Sequence, residues 1–591
     1  MPTIGVKRDL LFKALGKVYT DDEFQSLCFQ YGLELDEVTT EKQMIAKEQG
    51  SEQSIGASEE IIYRIDIPAN RYDLLCLEGL VIGLLVFENK IPLPHYMAIT
   101  PKAGIQQIII TKNCASVREH IVGAVLRNVT LTKDSYNSFI DLQDKLHQNI
   151  CRKRTLVSIG THDLDTIHGP FTYDAMPPKD VFFKPLNQEK EYTGEQIMDL
   201  YANHAQLKQY LHIIKNSPFY PVVYDANGVV LSLPPIINGD HSKITLNTKN
   251  IFIECTATDL TKAKIVLDNL VCAFSQYCSK KFTVESVEVV YPNNKIYIYP
   301  ELKYRTEEIS SNKAAGYIGI TQTPEQVANL LSKMCLKTEV KGQDRLLVQV
   351  PPTRHDVIHA CDIYEDIAIA YGYNKIEKTV PRTPTIAEEC PLNKLSDQLR
   401  EELAHAGFTE ALTFSLCSRE DVADKLGHDI KNEPAVHISN PKTLEFQVAR
   451  TTLLSGLLKT IAANKKMPLP QKLFEVSDVV LRDPTADVGA RNERRICAVN
   501  CNKSAGFEVI HGLLDRLMQL LEVPWSSNKD NEGYYLQPAE DPTYFPQRCA
   551  DIVVFGEVIG KMGVLHPNVI NKFELHLPCS ALEINIERLL E

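Results

Sequence analysis

Four carboxylates lie close together in residues 350–373, and their residue types are those that bind a hard divalent cation. They are Asp356, Asp362, Glu365 and Asp366. The last three have the spacing i, i+3, i+4, which places them on one face of an α-helix about one turn apart. Such like charges repel, and a cation such as magnesium would relieve the repulsion. The spacing alone leaves two interpretations open, a magnesium site and a solvated acidic face.

A second group of polar residues lies at two strand-like ends in the middle of the chain. Ser232 precedes a turn-like segment at residues 234–242, and Asn238 lies within it. Glu254 and Thr256 lie on the next apolar run. If the two strand ends are neighbours, these side chains line a pocket that binds a polar group and orients a water molecule. Glu254 would act as a general base only with a pKa raised toward the operating pH. The alternative is a hairpin with ordinary turn residues and threonine-rich edges.

The strongest basic cluster is KLHQNICRKR, residues 145–154. Arginine makes two-pronged contacts with phosphates, so the cluster suits a polyanion. A solvated helix end, where cations complement the helix dipole, explains it equally well. The formal net charge of −13 offers no general attraction for nucleic acid, so any such contact must be local.

The composition is that of an ordinary globular protein with several domains. The chain has 591 residues, of which 44% are hydrophobic and 24% are charged. Fifteen cysteines are scattered without CxxC or zinc-ligand spacing, which indicates buried thiols in a reducing compartment. The N-terminus lacks a signal-peptide core, and we expect a cytosolic, cytoplasmic protein.

The elements that must position these residues include a duplicated module. IPANRYD (67–73) matches VPPTRHD (350–356), and a helix-compatible run follows each. Thr20 and Thr323 each begin a capping box, with an acid or amide three residues later. Two related α+β modules are therefore predicted, and only the second has the acidic helix.

Two local features of the modules have simple interpretations. Arg71 and Arg354 each precede an aspartate by two residues, and we interpret them as salt-bridge partners at a helix start. The first module also has a polar insert at residues 39–60, which is predicted to be a flexible loop.

The patterning predicts five regions in an α+β arrangement. These are a first module at 1–90, a linker at 91–104, a mixed α/β region at 105–280, a second module at 300–380, and a last region at 392–591. Helices are predicted at 135–151, 260–278, 392–406, 453–463 and 507–522, and strands of the last region at 472–480 and 550–554.

No independent nucleotide-hydrolysing machinery is visible in the sequence. It contains no GxxxxGK[ST] phosphate loop and no GxGxxG turn. It also contains neither GxSxG nor HExxH.

Several long motifs occur in an order typical of one family. They are IPANRYDLLCLEGL, KLHQNICRKRTLVSIGTHDLD, PPIINGDHSKITLNTKNIFIECTATD, PPTRHDVIHACDIYEDIAIAYGYNKI, HISNPKTLEFQVARTTLLSGLL and FPQRCADIVVFGEVIGKMGVLHPNVINKFEL. Through these motifs the whole chain resembles the beta-subunit family of phenylalanyl-tRNA synthetases, in its eukaryotic cytosolic form.

The resemblance implies a heterotetramer of two alpha and two beta chains. The alpha chain would join phenylalanine to tRNA(Phe) with ATP, and the two small modules here would be winged-helix-like folds that serve assembly and tRNA contact. The last region would be a class II synthetase-like antiparallel-sheet domain without catalysis that packs against alpha. Arg450 and Phe474-Glu475 resemble remnants of a class II core, but the GxGxR-type ATP-binding motif is absent.

The resemblance also implies that residues 105–280 form an editing domain, which hydrolyses tyrosine wrongly attached to tRNA(Phe). A phenylalanine pocket rejects an added hydroxyl only modestly unless it is sterically closed, so a second site is useful. We expect Glu254 to accept a hydrogen bond from the tyrosine hydroxyl. Thr256 and Asn238 would position the substrate or the water, and Ser232 is a further candidate. The water-activating group stays open, with attack assisted by the terminal ribose as one route.

The acidic helix matches the family's magnesium site. By that match Asp356, Asp362, Glu365 and Asp366 are the expected ligands, with several waters retained. The metal would join the subunits or hold the second module against the catalytic core. An alternative function for the whole chain is a non-catalytic RNA-binding or assembly scaffold that has lost editing.

Overall fold

The computed structural model describes residues 2–49, 58–101, 104–380, 383, 385–529 and 531–590. The chain divides into two compact units, Met1–Val380 and Pro381–Glu591. Among the described residues, every helix is too short or too polar to cross a lipid bilayer.

The first module is a three-stranded antiparallel sheet with helices packed on it. Its elements are β1 (Thr3–Lys7), α1 (Arg8–Leu15), α2 (Asp21–Tyr31), β2 (Glu34–Thr40), α3 (Glu41–Gln49), β3 (Ile61–Asp66) and α4 (Leu77–Phe87). The strand order is β1-β3-β2. The capping box at the start of α2 is confirmed, because the Thr20 and Glu23 side chains each accept from the other residue's backbone N–H.

The prediction of a flexible loop at residues 39–60 is wrong for residues 39–49. There β2 continues to Thr40 and α3 follows directly, while residues 50–57 lie outside the described residues. The low hydrophobicity suggested a loop, but the sequence EKQMIAKEQ consists largely of strong helix formers.

The middle region is built around one large mixed sheet. Its elements are β4 (Met97–Ile99), β5 (Gln106–Ile110), β6 (His120–Leu126), α5 (Lys133–Gln148), β7 (Val157–Asp163), β8 (Phe171–Met176), β9 (Phe182–Phe183), β10 (Tyr192–Thr193), α6 (Gly194–Leu200), α7 (Lys208–Leu211), β11 (Tyr220–Tyr224), β12 (Val230–Leu233), β13 (Ile237–Asn238), β14 (Ile251–Ala257), α8 (Leu260–Phe274), β15 (Thr283–Val290) and β16 (Ile296–Tyr299). The main path through the sheet is β13-β12-β11-β8-β5-β15-β6-β14-β7. β4 lies within the stretch predicted as a linker.

The strand β14 lies inside this sheet and is buried at all seven positions. It pairs antiparallel with β6 on one side and with β7 on the other. The apolar helix α8 packs against both β6 and β14. A near-continuous apolar strand with helix cover is what a central strand requires, and it carries Glu254 into the interior.

The second module repeats the first. Its elements are β17 (Arg305–Ser310), α9 (Ser311–Ile318), α10 (Pro324–Lys333), β18 (Lys337–Lys341), β19 (Arg345–Val350) and α11 (Ala360–Tyr371). The strand order β17-β19-β18 is that of the first module, and Thr323 begins α10 with a complete capping box. The predicted duplication is confirmed.

The two modules pack reciprocally. The helix α2 of the first contacts α11 of the second, and α10 of the second contacts α4 of the first. Since α2 corresponds to α10 and α4 to α11, the pair has approximate two-fold symmetry. The acidic helix is therefore part of a contact surface between modules.

The second unit is a seven-stranded sheet covered on both faces. Its elements are α12 (Pro391–His405), β20 (Thr409–Glu410), β21 (Leu416–Cys417), α13 (Arg419–Val422), β22 (Val448–Ala449), α14 (Leu454–Ala463), β23 (Gln471–Arg482), β24 (Ala490–Cys501), α15 (Phe507–Leu520), β25 (Tyr534–Pro538), β26 (Tyr544–Val554), β27 (Glu557–Leu565), α16 (Pro567–Lys572) and β28 (Cys579–Asn585). The order is β20-β23-β24-β28-β27-β26-β25, antiparallel except for β20 with β23. Alternate residues of β24 face a core with α12 and α15 and a core with α14 and α16.

Candidate active site

The buried carboxylate of Glu254 is the centre of the candidate site. Its side chain is 1% exposed. The Ser232 hydroxyl donates to Glu254 Oε1 at 2.8 Å, and Oε2 has no partner among the described residues. Glycines lie opposite it on both neighbouring strands, Gly123 on β6 and Gly160 on β7. The register thus leaves room for a large polar side chain in a closely packed sheet.

The route by which Ser232 and Glu254 meet differs from the prediction. We expected their strand ends to be neighbours, and this is wrong, because β12 and β14 are separated in the sheet by β11, β8, β5, β15 and β6. The hydrogen bond between the two side chains therefore requires the sheet to curl, so that β12 faces β14 across a gap. Sequence proximity of two polar strand ends could not reveal that curl.

The gap is a cavity of about 300 Å³. Ser232, Asn238 and Glu254 line it, as the sequence predicted. Much of the remaining wall is apolar, formed by Ile140, Ile159, Leu186, Leu207, Leu233, Pro234, Ile236, Ile237 and Ile244. An apolar chamber of this size with a few polar groups is typical of a small-molecule site.

Thr256 lies beside the cavity and is not one of its lining residues. It is two residues from Glu254 on β14 and therefore points to the same face of the strand. Its side chain is fully buried, and its Oγ1 has no partner among the described residues. Three of the four predicted residues are brought together at the cavity, and the fourth lies next to them.

Two lining residues that the sequence did not single out for this site carry unpaired donors. The Ile159 N–H donates to His147 Nε2 at 2.9 Å, and burial lowers the pKa of His147 well below its ordinary value. The ring is therefore neutral with its proton on Nδ1, which has no partner among the described residues, and neither has Arg154 Nε. The cavity thus combines orphan donors with the orphan acceptor Glu254 Oε2.

His162 was not assigned to this site from the sequence, because a lone His162-Asp163 pair at the end of an apolar strand is weak evidence for a catalytic role. It is completely buried on β7, where its Nδ1 lies 2.8 Å from Ser242 Oγ and its Nε2 lies 3.9 Å from Glu254 Oε1. The only sequence signal was the alternation Ser158, Gly160, His162, which places all three on the face of β7 that meets Glu254. That pattern becomes informative only when the pairing of β7 with β14 is known.

The four carboxylates of the acidic segment do not converge. Arg354 donates to Asp356 and to Asp366, at 2.7 and 2.6 Å from its NH2 group. Asp362 instead accepts from the backbone N–H groups that begin α11, and Glu365 is exposed. Across the part of the chain that the structure describes, no group of three or more His, Cys, Asp or Glu residues is arranged to hold a metal ion.

The positive partner of the acidic helix in this structure is therefore an arginine. Arg354 holds the pKa of Asp356 below its ordinary value, although burial opposes that shift. As placed here, the four carboxylates do not fit a four-ligand magnesium site, because Asp356 and Asp366 both bond to Arg354 and Asp362 caps a helix. The interpretation of Arg71 and Arg354 as local salt-bridge partners is confirmed.

The first module also has a buried arginine with oxygen partners, but the partner residues differ. Arg71 bonds to Asp73 and to the Tyr31 hydroxyl, at 2.8 and 3.2 Å. Gly83, the counterpart of Asp366, leaves the space that Tyr31 fills, since a Cβ there would overlap the hydroxyl. Arg71 thus bonds to one carboxylate and one hydroxyl, whereas Arg354 bonds to two carboxylates and to the carbonyl of Met334.

Arg450 in the second unit is occupied by structural contacts. It donates to Glu475 Oε1 at 2.7 Å, to Thr413 Oγ1 at 3.0 Å and to the Asp478 carbonyl at 3.0 Å. Both Arg450 and Glu475 are buried. A guanidinium committed in this way is not available to bind a nucleotide phosphate.

Comparison with known proteins decides the family. Four family models match successive stretches: the Phe-tRNA synthetase beta subunit B1 domain at 1–90, the B3/4 domain at 119–286, the tRNA synthetase B5 domain at 308–373, and the phenylalanyl tRNA synthetase beta chain CLM domain at 376–586. The phenylalanine–tRNA ligase beta subunit of Drosophila melanogaster is 67% identical over 588 residues, covering 99% of this chain and 100% of that protein. This chain belongs to the phenylalanine–tRNA ligase beta-subunit family.

Two further relatives extend the comparison. The cytoplasmic phenylalanine–tRNA ligase beta subunit of Arabidopsis thaliana is 49% identical over 602 residues, which cover 100% of both chains. The crystal structure of an N-terminal fragment of the phenylalanyl-tRNA synthetase beta subunit from Pyrococcus horikoshii is 29% identical, with a TM-score of 0.55, and covers 63% of this chain and 100% of that fragment. The chain is accordingly a ligase subunit with a role in phenylalanyl-tRNA synthesis, it has a mixed α+β multidomain fold, and the name of its family implies an alpha-subunit partner.

Proposed function

We propose that this beta subunit removes tyrosine wrongly attached to tRNA(Phe), by hydrolysis in the cavity beside Glu254. The observation that carries the proposal is the state of that carboxylate. Oε1 is held by Ser232, while Oε2 is buried without a partner on a residue that lines the cavity. A buried acceptor without a donor is unfavourable, and a ligand that supplies the donor relieves the penalty.

This arrangement favours tyrosine over phenylalanine. The tyrosine hydroxyl would donate to Glu254 Oε2, while a phenylalanine ring would leave that oxygen desolvated and unpaired. Leaving a buried acceptor unsatisfied costs about 1–3 kcal/mol, and more when the acceptor is charged. A site that hydrogen-bonds a substrate hydroxyl rejects the analogue without it far better than an apolar pocket rejects an added hydroxyl.

The hydrolysis adds water across the ester that joins the amino acid to the terminal ribose. The water oxygen bonds to the carbonyl carbon, the bond to the ribose oxygen breaks, and that oxygen takes a proton. We assign the orientation of the substrate or the water to Asn238 and Thr256. The orphan donors of His147 and Arg154 offer hydrogen bonds to polar atoms of the bound ester. Activation of the water by the terminal ribose remains part of the proposal.

The remaining functions follow from the family. We infer an assembly of two alpha and two beta subunits, with the ATP- and magnesium-dependent ligation in alpha and tRNA(Phe) as the shared substrate. The class II-like assignment of the second unit, without catalysis, is supported by the buried ion pair of Arg450 and Glu475. The two modules are proposed to be winged-helix-like, and a cytoplasmic location is proposed by analogy with the Arabidopsis relative. We do not include the acidic helix as a metal site.

The test is the deacylation of tyrosyl-tRNA(Phe) by the purified ligase complex. With the Glu254→Ala variant we expect a loss of at least about tenfold, the factor that corresponds to about 1.4 kcal/mol. Ligation of phenylalanine should be unchanged, because Glu254 lies in the editing cavity. Equal deacylation by the wild-type and variant complexes would remove Glu254 from the proposal. Failure of the wild-type complex to deacylate would favour the alternative, a scaffold without editing.

A further inference from the structure

A left-handed turn of three consecutive cationic residues joins α5 to β7. Arg152, Lys153 and Arg154 have φ values of 46°, 53° and 64°. For an L-residue other than glycine this conformation costs roughly 1–2 kcal/mol per residue. Glycine or asparagine would relieve the strain, yet all three positions are basic. Retained strain of this kind tends to mark a functional segment.

The backbone of the turn is held in place by the side chain of a buried arginine. Arg118 is 2% exposed and donates to the carbonyls of Arg154 and Thr155, at 3.3 and 3.0 Å. Its other terminal nitrogen donates to the carbonyl of Thr256 at 2.9 Å. Arg118 therefore ties the turn directly to β14, the strand that carries Glu254.

The turn is also fixed to the opposite wall of the cavity. Arg154 donates to the carbonyls of Pro235 and Ile236, at 3.3 and 3.0 Å, in the segment that leads to Asn238. Its guanidinium lies 4.3 Å from the centroid of the Tyr210 ring. Arg154 itself lines the cavity. The turn is thus a rigid part of the cavity rim, attached to both of the walls that meet there.

Two of the three cations remain unengaged. Arg152 and Lys153 are exposed, and neither has a side-chain hydrogen bond or ion pair with any described residue. They precede Arg154 by two and one residues, so their Cα atoms lie within about 8 Å of the Cα of this lining residue. Two fixed, unpaired cations beside a cavity are complementary to a chain of phosphates that leads into it.

We propose that Arg152 and Lys153 form the phosphate-binding rim of the cavity and hold the single-stranded, phosphodiester-linked end of the aminoacylated tRNA. The inference rests on the proposed editing function and adds to it the residues that receive the nucleic acid. The hydrogen bonds of Arg118 and Arg154 hold the backbone of the turn, from which both cations project, relative to the strand of Glu254. The rim therefore sets how far the esterified end of the RNA reaches into the cavity.

The test replaces both cations by residues that tolerate the same backbone. In Arg152→Asn/Lys153→Asn, asparagine accepts the left-handed conformation and removes the charge. We expect the slope of log(kcat/KM) against log salt concentration, for deacylation of tyrosyl-tRNA(Phe), to become shallower by about 1.4, since each single-strand phosphate contact contributes about 0.7. Hydrolysis of 3′-O-tyrosyl-adenosine, which has no phosphate, should be unchanged. An unchanged slope, or an equal loss with tyrosyl-adenosine, would overturn the proposal.

Two controls keep the inference separate from the proposed function. Lys280→Asn/Lys281→Asn removes two exposed lysines of the same unit that do not line the cavity, and should leave the slope unaltered. A reduced slope there would mean a diffuse charge effect and would also overturn the proposal. If the wild-type complex hydrolyses neither substrate, the editing proposal fails. In that case the phosphate-binding rim is tested by binding of a short single-stranded RNA that ends in CCA. Equal slopes of log binding constant against log salt concentration for the wild-type complex and the Asn variant would exclude the rim.

Discussion

Glu254 is a charged side chain in the middle of a strand with no exposed position. The position is tolerated because Gly160 opposite it has no side chain, and because Ser232 reaches the carboxylate from a strand six places away in the sheet. A single glycine thus controls whether the carboxylate can occupy the cavity wall.

This dependence predicts a selective defect in Gly160→Ala. A Cβ at Gly160 would lie well inside 3.0 Å of Glu254 Oε1 and would also press on His162 Nε2, so the carboxylate must move. A displacement of about 1 Å can reduce a rate about 100-fold, and we expect a loss of that order in tyrosyl-tRNA(Phe) deacylation, with phenylalanine ligation retained. The matched control is Gly316→Ala, where an added Cβ meets nothing within 4 Å. Full deacylation by Gly160→Ala would show that the position of Glu254 does not matter.

The sequence identified the residues of the site better than it predicted how they are arranged in space. Ser232, Asn238 and Glu254 were identified from polar side chains at the ends of apolar runs, and they line one cavity. His147, Arg154 and His162 were not assigned to this site, because their relation to Glu254 depends on strand pairing and on the curl of the sheet. The acidic residues had helical spacing, but spacing does not reveal that an arginine on the preceding loop bonds to two of them.

The acidic helix α11 contacts α2 of the first module, and its buried carboxylate, Asp366, bonds to Arg354 within the second module. Tyr31 of α2 and Asp366 of α11 lie on different elements of the two copies, and each accepts a hydrogen bond from the buried arginine of its own module. Each arginine keeps its first carboxylate, Asp356 or Asp73, when this second partner is lost, so either loss removes a charge-assisted hydrogen bond and leaves no unpaired buried charge.

We therefore expect two classes of effect on local stability. Asp366→Ala should destabilise the second module, and Tyr31→Phe the first, by about 1.5–3 kcal/mol each, since each removes a hydrogen bond to a charged guanidinium. Glu365→Ala, at an exposed position, should stay within about 0.5 kcal/mol. Amide hydrogen exchange of α11 and α4 in the intact complex measures these free energies. A magnesium-dependent loss in Glu365→Ala as large as that in Asp366→Ala would restore the four-ligand site.

Elements with strong local signals were predicted well. The capping boxes at Thr20 and Thr323 predicted the starts of α2 and α10, and the helices α8, α12, α14 and α15 lie within a few residues of their predicted bounds. The failure at α3 has the opposite cause, because a polar helix without a clear apolar stripe has no periodic signal. The order of strands in the large sheet depends on contacts distant in sequence, which local patterns do not encode.

At the scale of the whole molecule, the second unit has its own cluster of charged residues. His428 lies 3.4 Å from Asp541 and 3.8 Å from Glu433, with Lys561 near the same aspartate. The hydrogen bond to Asp541 raises the pKa of His428 above its ordinary value. The pKa of Asp541 falls to about 2, despite burial, because His428 and the Thr543 backbone bond to it.

These shifts give the second unit a pH-dependent stability. The contribution of His428 is full below its unfolded pKa of about 6.5 and is lost as the pH rises through its raised folded value. The contribution of Asp541 is full above about 3.9 and is lost as the pH falls toward 2. We expect His428→Gln to accelerate hydrogen exchange of β26 in the complex more at about pH 5.5 than at about pH 8. The exposed His437→Gln is the control, and an equal effect of His428→Gln at both pH values would contradict the linkage.

The reciprocal contact of the two modules also bears on how such a chain arose. When equivalent surfaces meet about a two-fold axis, the arrangement is isologous, the form that identical protomers take in a symmetric dimer. A duplicated gene for a self-associating ancestor, fused end to end, yields this geometry at once. The two copies now differ in detail, because the buried arginine bonds to a tyrosine hydroxyl in one and to a second aspartate in the other.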